Sequence, residues 1–86
     1  MAIQVRKPDG AEKAAMEKWP VWGCGISEFD WHYDSEEHCL ILEGEVTVEY
    51  AGGSVSFGPG DYVVFPRGLD CVWKVKKAVR KHYNFR

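Results

Sequence analysis

Apolar and polar positions alternate along most of this chain with the two-residue period of a β-strand. The longest such stretch, residues 37–50, sets the pattern for the rest. It starts with a carboxylate, runs apolar into Glu43-Gly44 and leaves as an alternating strand, with Val46, Val48 and Tyr50 on one side and Glu45, Thr47 and Glu49 on the other. Ala51-Gly52-Gly53 then turns the chain into a returning strand over 54–57. A second punctuated unit follows, Gly58-Pro59-Gly60-Asp61, an apolar run over 62–65, and Pro66-Arg67-Gly68. Glycine at each sharp turn predicts two hairpins. Residues 69–75 and 79–86 read as strands separated by a turn at Lys76-Lys77, and 3–6, 21–25 and 27–33 read as strands ahead of the central stretch. Asp9 is placed to cap a short helix through Ala11, Ala14, Ala15 and Lys18. Trp19-Pro20 ends it, because a helical residue before proline is disfavoured. Eight or nine short strands with these turns predict an all-β fold, a closed barrel or two-sheet jelly roll with a short N-terminal helix.

The same periodicity sorts side chains by face. Phe29, Trp31 and Tyr33 share one face, and Asp30, His32 and Asp34 the other, so burial sends the aromatic face inward and His32 outward. Leu40 and Leu42 lie opposite Glu37, Cys39 and Ile41, which makes that strand apolar on both faces. The second face must be covered by the N-terminal segment or by a second copy of the chain, and a homodimer is one expectation.

Composition narrows the classes. Eighty-six residues make one domain, with residues 1–18 a strand and helix packed on a barrel of residues 19–86. Four Trp, four Tyr and four Phe supply a dense core. Residues 1–70 hold five Lys/Arg against thirteen Asp/Glu, whereas residues 71–86 hold six Lys/Arg and no acid. A basic terminus can mark a nucleic-acid site, but the pI near 5.9 argues against one, and basic strands also protect sheet edges. No apolar run is long enough to span a membrane and the first residues do not read as a signal peptide. Three cysteines without paired spacing suit free thiols, and the expected location is cytoplasmic.

The two punctuated units resemble the two motifs of the cupin superfamily, small jelly-roll barrels. Gly44, Glu37 and His32 match the first motif, with Asp30 at the position of its leading histidine. Gly60, Pro66 and Gly68 match the second, with Cys71 where the histidine stands and Val75 where the asparagine stands. Across residues 19–86 the chain is similar to the short single-domain cupins grouped with ureidoglycine aminohydrolase and the ethanolamine-utilisation protein Q. The resemblance implies a metal held inside the barrel. Carried over residue by residue, the ligands would be His32 and Glu37, with Asp30 and Cys71 as substitutions that remain able to ligate. A set with a thiolate suits Zn or Fe over Mn.

Each of these residues also has a plainer reading. His32 can be a surface histidine. Glu37, flanked by apolar residues, needs a partner if it is inward, and Arg67, a Trp indole N–H or a Tyr hydroxyl would serve. Cys71 and Cys39 can be small core residues, Cys24 reads as packing, and His38 and His82 read as solvated. The leading expectation is a small polar metabolite bound in the lumen without a full metal site, in a pocket of Glu37, Cys39, Tyr62 and Trp73. The alternatives are a metal-dependent hydrolase or dioxygenase using Asp30, His32, Glu37 and Cys71, and an interaction module with a filled barrel.

Overall fold

A computed structural model describes residues 2–86. Met1, the first residue of the 1–18 segment, lies outside the described residues. Seven strands and one helix follow in the order β1 (Gln4–Arg6), α1 (Gly10–Met16), β2 (Val21–Cys24), β3 (Ser27–His32), β4 (Glu37–Tyr50), β5 (Gly53–Phe57), β6 (Tyr62–Phe65) and β7 (Asp70–Phe85). All pairings are antiparallel. The sheet is a jelly-roll barrel organised on its two long strands. β4 and β7 run side by side from Glu37 opposite Phe85 to Tyr50 opposite Cys71. Each long strand then carries two short partners, β6 and β5 on β4, and β2 and β3 on β7, while β1 adds to β6.

Two sequence expectations change here. Among the described residues only β4–β5 forms a hairpin, because β6 pairs with β4 and β1 rather than with β5 or β7. Nor does Lys76-Lys77 turn the chain, since β7 continues through it. The irregularity lies on the opposite strand, where the register shifts between Ile41 and Val46. Gly44 sits in that bulge with φ +108, and a Cβ there would lie 2.6 Å from the Ala78 carbonyl oxygen. Only glycine accepts both the backbone conformation and the close approach. The bulge also reverses which residues face inward. Glu37, Cys39 and Ile41 are buried before it, and Val46 and Val48 after it, while β7 keeps one parity through Cys71, Trp73, Val75, Val79 and Lys81.

The barrel core is aromatic. Trp73 stacks on Phe29 at 6.0 Å and meets Phe57 edge-on at 5.6 Å, and Tyr33 stacks on Phe65 at 4.9 Å. Each such pair adds about 0.5–1.5 kcal/mol beyond its burial. A second cluster lies on the outer face of the sheet, where Met16 and Trp19 cover Leu40, Tyr62 and Val64. This explains the strand that is apolar on both sides, as the N-terminal segment covers Leu40, whereas Leu42 stays partly exposed. Seven residues are too few for a helix stable by itself. α1 is held by a capping box, with the Asp9 carboxylate accepting from the Glu12 amide at 2.8 Å and Glu12 returning to the Asp9 amide at 3.1 Å. The basic C-terminal stretch does not protect an edge. β7 is an interior strand, and its lysines face the carboxylates of its neighbours, Lys74 with Glu49 and Glu28, and Lys77 with Glu45. The uneven charge along the sequence is thus cross-strand complementarity.

Candidate functional site

A cavity of about 250 Å³ opens at one end of the barrel. β2, β3 and β7 supply its walls, and their alternation delivers Trp22, Phe29, Trp31, Tyr83 and Phe85 to the same opening. Trp31 and Phe85 remain about half exposed at its rim. The polar floor comes from the two long strands. Lys81 Nζ donates to Glu37 Oε2 at 2.9 Å, with the side chains 6% and 4% exposed. Lys81 stands opposite Ile41 in the ladder, so its side chain extends along the sheet to reach Glu37. The ammonium also lies 4.6 Å from the centroid of Trp73 and 5.0 Å from that of Trp22. An ion pair this deep is costly to desolvate, and rings on the cation and a carboxylate at hydrogen-bond distance offset that cost. Beside it the Trp73 indole N–H donates to the Tyr33 hydroxyl at 3.2 Å. Burial pushes the Tyr33 phenol far above its ordinary range, which keeps it protonated.

The residues expected to hold a metal do not converge. Glu37 faces the cavity and is engaged by Lys81. His32 lies on the outer face, half exposed, with Nδ1 2.7 Å from Asp70 and Nε2 3.4 Å from Asp34. Asp30 and His32 border a shallow outer groove with Cys71 and Glu49. The physical reason is the strand period, as Phe29 and Tyr33 go inward and Asp30 and His32 must go outward. The Cys71 thiol contacts the Trp31 carbonyl at 3.6 Å, and burial pushes it up to about 11. The Cys39 thiol contacts the Val63 carbonyl at 3.6 Å and is pushed up to about 12, again by burial. Both shifts disfavour the thiolate, the form that attacks an electrophile. Among the described residues no group of three or more His, Cys, Asp or Glu side chains is placed to hold a metal ion. The donor set of the metal-binding cupins therefore does not fit this barrel.

Of the expected pocket residues, Glu37 and Trp73 line the cavity. Cys39 is fully buried in the core. Tyr62 lies on the other side of the sheet beneath α1, with its hydroxyl 2.6 Å from His38 Nδ1. His38 and His82 are not free surface histidines, since His38 Nε2 also meets Glu36 at 2.7 Å and His82 Nδ1 bonds the Trp19 carbonyl at 2.9 Å. Lys81 was not among the expected partners of Glu37. Its signal was the alternation Val79, Lys81, Tyr83, Phe85, which puts a lysine on an otherwise apolar face.

The sheet order and the cavity at the barrel's end define a small cupin. The chain belongs to the family of EutQ-like cupin domains, whose model matches residues 11–83. A crystal structure of a DUF861 family protein from Thermotoga maritima is 45% identical, with 99% of this chain and all of that chain covered and a TM-score of 0.93. An ethanolamine utilization protein Q from Salmonella typhimurium is 25% identical over 76% of this chain, with a TM-score of 0.69. The Clostridium difficile EutQ protein is 22% identical over 76%, with a TM-score of 0.70, a likeness of fold. The chain spans about half the length of these two EutQ proteins. No curated protein matches the sequence. Among the described residues no helix is long and apolar enough to cross a membrane.

Proposed function

We propose that this chain binds a small, flat metabolite in the barrel mouth without a metal. The carrying observation is the Glu37–Lys81 pair at the floor of an aromatic-walled cavity. A few convergent polar groups among apolar walls is the usual composition of a small-molecule site. The cavity lies below the roughly 300–1,000 Å³ range of most ligand pockets, which suits a metabolite rather than a polymer. In this reading Trp22 and Trp31 sandwich the planar part of the ligand. A ligand oxygen accepts from the Lys81 ammonium, and a ligand N–H or O–H donates to Glu37. The site then recognises a planar molecule with an acceptor and a donor close together.

The test is tryptophan fluorescence and thermal shift against a metabolite panel, with and without chelator. Ligands that change Trp emission and raise Tm, equally in chelator, support the reading, and Lys81→Met abolishes their effect. A response only after adding Zn or Fe would overturn it.

A further inference from the structure

We propose that Lys81 captures a small aldehyde or ketone as an iminium in this cavity. The inference rests on the binding reading above and names the substrate class of the same site. Three observations carry it. Lys81 is the lysine that lines the cavity, and its side chain is 6% exposed. It sits among the rings of Trp22, Trp73 and Phe65, at 5.0, 4.6 and 5.9 Å to their centroids, so water has little access to it. Glu37 lies 2.9 Å from Nζ, within reach to take and return a proton. A lysine desolvated by an apolar pocket beside a proton acceptor is the arrangement that Schiff-base chemistry requires.

The step balances within the pair. Glu37 takes one proton from the Lys81 ammonium, and the freed amine lone pair forms a bond to the carbonyl carbon. The carbonyl π-bond breaks onto oxygen, which takes a proton from the attacking nitrogen to give a neutral carbinolamine. Its hydroxyl leaves as water, taking the proton that Glu37 returns, and the nitrogen lone pair closes the C=N bond. The products are the iminium, the Glu37 carboxylate and one water. The charges of the site are therefore the same before and after. A cavity that already stabilises a buried cation beside a carboxylate and between indole faces would hold the iminium with the same contacts. The aromatic walls favour a carbonyl conjugated to a planar group, and excluding water opposes hydrolysis of the product.

The experiment uses the whole chain with benzaldehyde and sodium cyanoborohydride, read by intact mass and peptide mapping. Benzyl alcohol, which lacks the carbonyl, is followed in parallel by tryptophan fluorescence. The expected result is one reduced benzyl adduct per chain on Lys81, formed before any on Lys7, Lys13, Lys18, Lys74, Lys76 or Lys77. Glu37→Gln is expected to slow labelling by on the order of a hundredfold. Lys81→Arg keeps the cation but not the nucleophile, and should lose the adduct. Mapping in the wild-type chain decides the matter even if that variant does not fold. Fluorescence responses to both compounds without an adduct on Lys81 would overturn iminium capture and leave the binding reading standing. Labelling spread over the surface lysines would also overturn it. An absence of both fluorescence response and adduct would overturn capture together with binding of planar carbonyl ligands.

Discussion

The same two chemical groups join β4 to β7 in two different settings. Inside the barrel, Lys81 meets Glu37 at 2.9 Å with both side chains nearly inaccessible. On the outer surface, Lys74 meets Glu49 at 3.1 Å with the side chains 35% and 49% exposed. Distance hardly separates the two, but solvent does. The exposed pair gains little, because water and salt screen it and two flexible side chains must be ordered. The buried pair is strongly coupled. Each charge has given up its hydration, and removing either leaves the other stranded in an apolar cavity. The outer pair is one screened contact across the sheet, while the inner pair puts two opposite charges on the floor of an apolar cavity. Well-packed apolar residues in place of such a pair are often neutral or stabilising, and the ligand proposed above would give the two charges a role.

The largest expected effect comes from breaking the inner pair. Lys81→Met should destabilise the chain by about 3–5 kcal/mol, because Glu37 is left buried without its partner, and urea unfolding measures it. Next is the neighbouring hydrogen bond. Tyr33→Phe leaves the Trp73 indole N–H without its acceptor and should cost about 1–3 kcal/mol in the same assay. On the outer face Lys74→Ala should cost far less, because water screens the pair, and 1 M salt should erase most of that difference while leaving the Lys81→Met difference in place. The smallest effect sharpens the contrast through pH. Arg6 holds the exposed Glu12 carboxyl at about 2, down from 4.5. The folded chain therefore binds fewer protons at Glu12 than the unfolded chain does. Its contribution is complete above pH 4.5 and disappears as the pH falls toward 2. Glu12→Gln should lower Tm slightly at pH 7, and the two proteins should converge in acid.

The fold was legible because its devices are local. The glycine–proline frame at Gly44, Gly60, Pro66 and Gly68 and the alternation of the strands each leave a mark within a few residues. The long β7 was misread because two adjacent lysines resemble a turn, whereas the kink belongs to Gly44 on the paired strand. Strand parity placed Phe29, Trp31 and Tyr33 inward and His32 outward, and it outweighed the motif position that would have put His32 in the lumen. The site was half legible. Glu37 stood out as a carboxylate in an apolar run, and Trp73 as a wall. Its partner did not, because Lys81 is distant along the chain and the two meet only when β4 and β7 align. Tyr62 was assigned to the wrong side of the sheet, as an apolar run over 62–65 carries no sign of which face the barrel encloses.

The most direct test of the central claim is a double-mutant cycle on the inner pair, with stability and ligand response measured on Glu37→Leu, Lys81→Met and the two combined. The account expects each single variant to lose stability, the combined variant to regain most of it, and all three to lose the ligand response. Losses that simply add, with the ligand response intact, would contradict a buried pair kept for binding.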